Sequence, residues 1–377
     1  MTTPIGLYLH IPFCRQRCDF CAFYLELYRK PAADAFLQAL DAEIRLQGAE
    51  EEISERMFQS VYFGGGTPTA LRADQLITIL AGIRQAFSLH RQCEMTVEAH
   101  PATVSGSDLA LLRKAGFGRI SFGAESMHDD ELVGMGRPGT PQDTTAAVQA
   151  ARAAGLANIN LDLMYGLPHQ TVESWTQTLL RCIELEPTHL SCYALTVEDG
   201  TRLAHDIRDE HLQAPDESLQ IEMDQATQNI LSDAGYQQYE ISNYARPGFE
   251  CRHNLLYWTQ GDYLGLGPSA QSFVRGVRFG NVANLTAYQA ALAEHRLPIH
   301  NRTNLTDEEQ LRDAVIFGLR LIRGIPTHQL RDHARNYGYA GRVQELQAGE
   351  LIVEDGQRSR LSVQGRLYAD TIAEKLF

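Results

Sequence analysis

Up to Leu203, short β-like runs alternate regularly with amphipathic helical runs. Six runs have the apolar and β-branched composition of strands, and they cover residues 6–10, 60–63, 94–98, 119–122, 158–164 and 189–195. The helical patterns between them cover residues 32–47, 73–86, 107–115, 141–154 and 171–185. Strands that alternate with helices in this way are typical of βαβ units, whose strands are parallel. The sequence therefore predicts an α/β fold.

Two architectures share this order of elements. Six parallel strands with helices between them resemble three quarters of a (β/α)8 barrel, whose functional residues gather at the carboxyl ends of the strands. An open, doubly wound sheet has the same order of elements along the chain. Gly116 and Gly155 stand just beyond two of the helical patterns, where a left-handed cap is favoured, and a strand follows each. The pattern leaves both architectures open, and the motifs described below favour a partial (β/α)6, TIM-like barrel.

The alternation stops after Leu203. A long helix is predicted over residues 217–234, and the stretch from Tyr236 to Tyr263 is rich in Tyr, Asn and Gly. We therefore expect three parts: a partial barrel over residues 1–240, a connecting region over 241–303 and a C-terminal domain over 304–377.

The C-terminal part has the pattern of a mainly helical, winged-helix-like domain. Helices are predicted over 306–322 and 327–336, before a hairpin of 351–353 with 360–363 that turns through 354–359. Winged helices often bind DNA, but residues 301–377 carry eleven Lys and Arg against eleven Asp and Glu. Because DNA binding needs clustered positive charge, we favour a packing or lid role for this domain.

The formal net charge of the chain is −14. The excess of acid lies in the first 300 residues, since the remainder is balanced. An acidic body disfavours nucleic acid as a partner and gains no electrostatic attraction to an anionic membrane. The chain shows neither a secretory signal pattern nor an apolar stretch of the roughly 18 residues that an integral membrane helix needs. We expect a cytoplasmic protein.

Three cysteines near the start of the chain, Cys14, Cys18 and Cys21, form a C-x3-C-x2-C loop. Thiolates are soft ligands for zinc, copper(I) or iron–sulfur clusters, and closed sites normally take four protein ligands. Three thiolates suggest a cluster with one iron left open, whereas a zinc site completed by His10 or a distant cysteine is the alternative. The other cysteines, Cys93, Cys182, Cys192 and Cys251, are scattered singly, and an odd total of seven fits a reducing compartment.

A glycine-rich turn directly follows the predicted strand at 60–63. Gly64, Gly65 and Gly66 precede Thr67 and Pro68, and three glycines let the backbone come close to a ligand. By itself the motif is compatible with a simple tight turn. Next to an open cluster, it suggests a backbone cradle for the amino group of S-adenosylmethionine (SAM).

The order of these motifs resembles that of the radical SAM superfamily and, within it, the coproporphyrinogen III oxidase-like group and its heme chaperones. The resemblance covers nearly the whole chain. It rests on the cysteine loop together with residues 8–14, 64–69, 98–101, 162–168 and 253–258.

The resemblance implies two cofactors and their ligands. Cys14, Cys18 and Cys21 would ligate a [4Fe-4S] cluster, with Phe20 packed beside it. The positions that line the SAM site in the related oxidase are Tyr8, Gly65, Gly66, Thr67, Glu98, Arg137 and Asp162. Carboxylates at strand ends can accept hydrogen bonds from an ammonium group or ribose hydroxyls, and a guanidinium can pair with a carboxylate. Taken singly, each charged residue is better explained by a surface or an ion-paired role.

One position departs from the family pattern. Where the family usually has Gly-Val-Gln-Ser-Phe, this chain has Gly123-Ala-Glu-Ser-Met127, so Glu125 replaces a neutral amide. A carboxylate there could favour the sulfonium cation of SAM, but it removes two hydrogen-bond donors. We include Glu125 among the cofactor-binding candidates, with its contact to SAM left open.

Two features separate the chain from the related oxidases. Those enzymes carry a further cysteine where this chain has Phe23, and they have an extension before the cluster loop, whereas thirteen residues precede Cys14 here. His253 lies in the run His-Asn-Leu-Leu-Tyr-Trp, which is typical of the heme-binding subgroup. A neutral imidazole is a good axial ligand of heme iron, and Tyr257 and Trp258 offer flat apolar faces. A solvated or hydrogen-bonded histidine, or ligation by Cys251, is the alternative.

The sequence therefore predicts a protein that binds heme and hands it to apo-hemoproteins, among them respiratory ones, with the cluster and SAM as a switch or assembly element. The rival hypothesis is a radical SAM oxidase or methyltransferase, so enzymatic activity stays open. An iron–sulfur regulator that binds DNA is disfavoured by the charge balance of the C-terminal part. A homodimer also stays open.

Overall fold

The computed structural model describes residues 4–377. The first three residues of the predicted barrel region lie outside that range. Within the described range the strands are, in order, Ile5–Ile11 (β1), Phe13–Cys14 (β2), Glu26–Leu27 (β3), Met57–Gly65 (β4), Ser88–Ala99 (β5), Arg119–Glu125 (β6), Asn158–Tyr165 (β7), His189–Ala194 (β8), Gln237–Gln238 (β9), Asn243–Ala245 (β10), Asp262–Leu266 (β11), Gln271–Val274 (β12), Val277–Asn281 (β13), Ile299–Asn304 (β14), Ile325–Pro326 (β15), Ile352–Glu354 (β16) and Arg358–Leu361 (β17).

Helices connect the strands and cover the sheet. They are, in order, Lys30–Ala49 (α1), Glu51–Ser54 (α2), Ala73–Ala86 (α3), Gly106–Ala115 (α4), Asp129–Gly134 (α5), Pro141–Ala153 (α6), Val172–Glu184 (α7), Arg202–Arg208 (α8), Glu217–Asp233 (α9), Arg252–Trp258 (α10), Leu285–Ala293 (α11), Asp307–Gly318 (α12), Thr327–Asn336 (α13), Ala340–Ala348 (α14), Val363–Leu367 (α15) and Ala369–Leu376 (α16).

The six predicted strands form the barrel part of the sheet. They are β1, β4, β5, β6, β7 and β8, and each pairs in parallel with the next one along the chain. A doubly wound sheet reverses its strand order at a switch point. The uninterrupted order here is that of a (β/α) barrel, so the predicted partial TIM-like barrel is confirmed.

The structure lengthens several predicted elements. Strand β5 runs from Ser88 to Ala99, although the sequence pattern predicted only residues 94–98. Its first half is mostly polar and partly exposed, so it lacks the apolar signal by which strands are recognised. Helix α3 begins and ends where the periodicity predicted, and the Gly116 cap after α4 has the left-handed φ of 110°.

The sheet continues beyond the barrel on both edges. It has twelve strands among the described residues, in the order β14-β13-β12-β11-β1-β4-β5-β6-β7-β8-β10-β9. Strand β11 is parallel to β1, while β12, β13 and β14 follow as an antiparallel meander. The stretch that we described from sequence as a connecting region, residues 241–303, therefore supplies strands to the same sheet.

The two faces of the barrel strands differ in chemistry. In β1, the side chains of Ile5, Leu7 and Leu9 are completely buried against the outer helices, whereas Tyr8 and His10 point into the barrel. Buried polar side chains on the neighbouring strands share that interior: Ser60, Thr96, Ser121, Asn160 and Ser191. A barrel interior usually holds layers of branched apolar residues. The polar interior of this barrel instead offers hydrogen-bonding groups to a ligand.

The C-terminal residues have a second apolar core. Helices α12, α13 and α14 precede the β16–β17 hairpin, and β15 pairs with β17 to complete a three-stranded sheet. The hairpin turn is shorter than predicted, because Glu354 already pairs with Ser359. The turn closes over residues 355–357, where the side chain of Asp355 accepts a hydrogen bond from the Arg358 N–H at 3.0 Å and Gly356 adopts a φ of 91°.

Between residues 4 and 377, none of the helices is long and apolar enough to cross a bilayer.

Candidate functional site

The cysteine loop is closed at its base by backbone pairing. Cys14 lies in β2, which pairs in parallel with β3, and the Tyr28 N–H donates to the Cys14 carbonyl oxygen at 2.8 Å. Within the loop, the Cys21 N–H donates to the Cys18 carbonyl at 3.2 Å. Leu203 and Met135 bond to Asp19 from outside the loop. These contacts hold the loop in place at the mouth of the barrel.

The thiols of the loop meet polar partners from other elements. Cys14 Sγ lies 3.4 Å from Thr67 Oγ1, and Arg137 Nη1 donates to Cys18 Sγ at 3.5 Å. Burial raises the pKa of the Cys14 and Cys18 thiols, while the positive charge of Arg137 opposes that rise. Cys21 is close enough to both thiols to contribute to their electrostatics. A guanidinium beside the loop favours thiolates, the form that binds metals.

The donor set of the loop is compatible with a cluster. Within residues 4–377, no three His, Cys, Asp or Glu side chains are placed to share one metal ion. A [4Fe-4S] cluster takes its cysteines on separate irons and therefore needs thiols near one another but not converging on one point. Three thiols on one clamped loop meet that need.

The glycine-rich turn packs directly against the cysteine loop. The Gly66 N–H donates to the Ile11 carbonyl at 2.9 Å, and the Thr67 N–H donates to the Phe13 carbonyl at 2.7 Å. Gly65 has a φ of 113°, and a Cβ at this position would lie 2.9 Å from His10 Nδ1. The backbone of Gly65, Gly66 and Thr67 therefore packs against the cysteine loop and supports it.

Gly66→Ala is expected to reduce the iron content of the reconstituted protein. The added methyl would lie 2.8 Å from the Phe13 carbonyl oxygen and 3.1 Å from Cys14 Sγ, so the cysteine loop must move. Overpacking of this kind typically costs about 1–3 kcal/mol of folding stability. Iron analysis and thermal unfolding measure both effects.

Gly118→Ala is the matched control, since a Cβ there meets nothing within 4 Å. Equal iron content in Gly66→Ala and the wild type would show that the turn tolerates a side chain beside Cys14.

Two carboxylates lie inside the barrel, Glu98 near the end of β5 and Asp162 on β7, with β6 between their strands. Glu98 Oε1 accepts a hydrogen bond from Tyr62 OH at 2.8 Å, and the Gly65 N–H also bonds to this carboxylate. Asp162 accepts hydrogen bonds from Ser121 Oγ at 2.7 Å and from Asn160 Nδ2 at 2.9 Å. Burial, and then the negative charge of Asp162, raise the pKa of Glu98 to about 8. A cation between the two carboxylates would relieve both the desolvation and the repulsion.

Glu125 is engaged by Arg137. The guanidinium donates to the Gly123 carbonyl and lies 3.2 Å from Glu125 Oε1, and its other nitrogen reaches Cys18. Burial raises the pKa of Glu125 to about 7, which the charge of Arg137 opposes. Glu125 also has a φ of 62°, a strained value for a residue with a side chain. This carboxylate therefore orients the Arg137 side chain beside the cysteine loop.

Phe20 joins an apolar cluster at the mouth of the barrel. It packs with Met135, Leu167, Leu195 and Leu203. Phe20 belongs to the cysteine loop, Met135 follows α5, Leu167 and Leu195 follow the ends of β7 and β8, and Leu203 stands in α8. This group of apolar side chains shields one side of the cysteine loop from water.

His253 is buried at the floor of the barrel and does not lie on the surface of the protein. It is 1% exposed and stands in the first turn of α10. Its Nδ1 is hydrogen-bonded to Ser60 Oγ at 2.9 Å, and its Nε2 to Tyr257 OH at 2.9 Å. Burial, followed by repulsion from Arg119, lowers the pKa of His253 to about 3. The imidazole is therefore neutral at physiological pH and both of its nitrogens are engaged.

The neighbours of His253 in the sequence motif face different ways. Cys251 is fully buried, and its Sγ lies 3.6 Å from Glu94 Oε1. Trp258 faces the C-terminal domain, where Arg320 lies 4.9 Å over its ring. Tyr257 packs edge-on against Tyr263 at 4.7 Å and, with Trp258, lines a cavity of about 220 Å³. Only Tyr257 of these side chains connects the histidine to that cavity.

Comparison with known proteins places the chain in a family. The model of the radical SAM superfamily matches residues 8–182. The heme chaperone HemW of Mycobacterium tuberculosis is 34% identical over 376 residues, which cover 99% of this chain and 95% of that protein. The heme chaperone HemW of Bacillus subtilis is 31% identical over 372 residues, covering 97% of each chain. The chain belongs to the HemW group of the radical SAM superfamily.

A solved structure supports the same placement of the fold. Coproporphyrinogen III oxidase (HemN) from Escherichia coli, a radical SAM enzyme, is similar with a TM-score of 0.86 at 27% identity, over 99% of this chain and 90% of that one. Phe23 of this HemW-group chain, at the position where the sequence comparison expects another cysteine in such oxidases, is 69% exposed. The large apolar side chain of Phe23 is thus exposed to solvent beside the cysteine loop.

Several residues of the site were not found from the HemW-type sequence motifs. Tyr62 bonds to Glu98, Asn160 and Ser121 hold Asp162, and Glu94 accepts hydrogen bonds from the first N–H groups of α10. All of these side chains occupy inward positions of barrel strands. The alternation of inward and outward side chains along β4 to β7 could therefore have predicted that they face the site. The partner of each group lies on another strand, which a single sequence does not show.

Proposed function

We propose that this protein is a cytoplasmic heme chaperone, which binds heme and passes it to apo-hemoproteins, including respiratory ones. The observation that carries this proposal is the match to the heme chaperone HemW of Mycobacterium tuberculosis at 34% identity over 99% of the chain. Such a match includes the barrel, the His253 motif and the C-terminal domain together. The exposed Phe23 and the buried His253 are compatible with a role other than oxidation of a porphyrinogen.

The proposal includes a [4Fe-4S] cluster on Cys14, Cys18 and Cys21, and SAM in the barrel mouth. When bound, the cluster supplies an iron with an open coordination position next to the SAM pocket. The chain would hold SAM with the Gly65–Thr67 turn, and its carboxylates Glu98 and Asp162 would accept hydrogen bonds from the ammonium and ribose groups. Arg137 would keep a positive charge beside the thiolates.

The proposal also assigns the heme iron to His253 Nε2. A neutral imidazole can donate its electron pair to iron, and burial keeps this one neutral. Nδ1 is enclosed by Ser60 and by the close approach of Gly6, so Nε2 is the nitrogen that a ligand can reach by displacing the Tyr257 hydroxyl.

Heme titration followed by the Soret band tests this assignment. The wild type is expected to bind heme stoichiometrically, and His253→Ala should shift the Soret spectrum and weaken binding. Tyr257→Phe keeps the ring but frees Nε2, so it should tighten heme binding by up to about tenfold, the worth of one hydrogen bond. An exposed histidine variant, His211→Ala, controls for adventitious ligation.

Unchanged Soret spectra in both His253→Ala and Tyr257→Phe would show that the residue ligating the heme iron lies outside this motif. Measuring far-UV circular dichroism on the same samples separates loss of binding from loss of fold.

A second candidate function is a radical SAM oxidase, favoured by the structural similarity to coproporphyrinogen III oxidase of Escherichia coli over 99% of the chain. An anaerobic assay with coproporphyrinogen III, SAM and a reductant distinguishes the two. The chaperone proposal predicts no decarboxylation above the protein-free background. Turnover of coproporphyrinogen III with stoichiometric consumption of SAM would contradict the chaperone proposal and support the oxidase function.

A further inference from the structure

The ring of His253 packs against two tyrosines of the barrel, which also stack on each other with ring centroids 6.2 Å apart. The rings of Tyr62 and His253 have centroids 5.1 Å apart and planes inclined by 25°. The rings of Tyr8 and His253 have centroids 6.2 Å apart and planes inclined by 26°. The two tyrosines come from adjacent strands, β4 and β1, which face each other in register at these positions. The histidine of the heme-type motif is therefore part of the wall from which the SAM pocket is built.

Tyr62 joins the two proposed binding sites directly. Its ring contacts His253, and its hydroxyl donates to Glu98 Oε1 at 2.8 Å. Glu98 ends strand β5 beside the Gly65 turn, on the SAM side. One side chain thus touches the proposed ligand of heme and the proposed acceptor of the SAM ammonium.

The backbone around His253 leaves little freedom for the helix itself. Glu94 Oε1 accepts from the His253 N–H and Glu94 Oε2 from the Arg252 N–H, both at 3.2 Å. The Arg252 side chain also donates to the Gln92 carbonyl at 3.1 Å. Because these contacts fix the start of α10, any adjustment that exposes His253 Nε2 must come from the side chains around the ring.

We propose that Tyr62 is a positioning residue that makes the binding of SAM and the binding of heme mutually antagonistic. The inference rests on the proposed heme chaperone function. With SAM bound, Glu98 and Tyr62 are held in the present arrangement, and His253 stays stacked and bonded to Tyr257. Heme ligation displaces the Tyr257 hydroxyl and shifts the imidazole, which disturbs the ring of Tyr62 and the hydrogen bond that positions Glu98.

Thermodynamic reciprocity gives the coupling a definite form. If SAM lowers the affinity for heme by some factor, heme must lower the affinity for SAM by the same factor. Couplings between linked sites typically amount to roughly 5-fold to 150-fold in affinity. Binding of SAM would then promote release of the heme cargo, and loss of SAM would reopen the heme site.

The coupling is measured by titrating heme into anaerobically reconstituted protein with the cluster oxidised, so that SAM stays intact. The heme dissociation constant is determined from the Soret band without SAM and with saturating SAM. The wild type is expected to bind heme roughly 5-fold to 150-fold more weakly when SAM is present. Tyr62→Phe keeps the stacked ring but lacks the donor to Glu98, so the ratio of the two dissociation constants should fall close to one.

Tyr263→Phe is the matched control, because Tyr263 contacts Tyr257 from the other side and Glu98 receives no hydrogen bond from it. This variant should keep the ratio of the wild type. A ratio of one in the wild type, tighter heme binding with SAM, or a wild-type ratio in Tyr62→Phe overturns the coupling while leaving heme binding intact. Absence of heme binding under every condition overturns the chaperone function itself, and the coupling with it.

Discussion

Alanine in place of Cys14, Cys18 or Cys21 is expected to abolish the visible charge-transfer absorption of the [4Fe-4S] cluster in protein reconstituted anaerobically with iron and sulfide. A cluster that depends on three protein thiolates has no ligand in reserve, and a methyl group has no electron pair to offer. The loss should be complete for each of the three variants. Absorption spectra and iron and sulfide analysis on the same samples measure it.

Cys182→Ala and Cys93→Ala are the matched controls. Cys182 lies in the outer apolar core and Cys93 on β5, and both should retain the full absorption of the wild type. The cysteine loop is clamped by the pairing of β2 with β3, so the three ligand variants should unfold at the temperature of the cluster-free wild type. An undiminished band in all three ligand variants contradicts the cluster site.

Glu98→Gln is expected to weaken SAM binding by roughly 10-fold to 100-fold, the usual worth of a hydrogen bond to a charged group. The amide oxygen can still accept the bond from Tyr62, so the pocket keeps its shape, but the side chain can no longer ionise to pair with the ammonium group of SAM. Equilibrium dialysis of SAM against the oxidised holoprotein measures the change.

The same substitution is expected to stabilise the protein without SAM, and the gain should depend on pH. Glu98 has a folded pKa of about 8, above the ordinary value near 4.5, so the folded state holds a proton that the unfolded state has lost between those values. Stability linked to this group is full below the ordinary pKa and declines as pH rises toward 8. The advantage of Glu98→Gln in melting temperature should therefore grow from pH 5 to pH 8 and then level off.

Glu52→Gln, a substitution of an exposed carboxyl on helix α2, is the matched control. A melting temperature for Glu98→Gln that falls below the wild type at pH 8, together with unchanged SAM affinity, would show that Glu98 is a structural acid and not a ligand group.

The barrel was predictable because its signals are local. Helical periodicity predicted α3 and α13 with their observed bounds, and apolar runs located the six barrel strands β1 and β4 to β8. Strand β11 escaped prediction, since Asp262–Leu266 contains glycine and tyrosine in place of a β-branched run and pairs with a strand more than two hundred residues away. The hairpin turn was placed too wide because the Asp355 bond to Arg358 tightens it.

The site was predictable only in part. Motif resemblance predicts roles for Glu98, Asp162 and the cysteine loop, but it does not predict the groups that set their electrostatics. The contact of Glu125 with SAM was left open from sequence because a carboxylate removes two donors. The structure shows Glu125 ion-paired with Arg137 from the segment after α5, and no local pattern encodes that pairing. Burial of His253 depends on Ser60, nearly two hundred positions earlier. Such contacts follow from strand order and helix packing together.

The most direct test of the account is the transfer of heme to an acceptor. Heme-loaded protein with its cluster reconstituted is mixed anaerobically with a heme-free respiratory hemoprotein of the b type, and the Soret bands of donor and acceptor are followed together. The account predicts that the acceptor gains its heme spectrum and its activity from this protein faster than from free heme at the same concentration. Heme that stays on the donor, or reaches the acceptor no faster than free heme, contradicts the chaperone function.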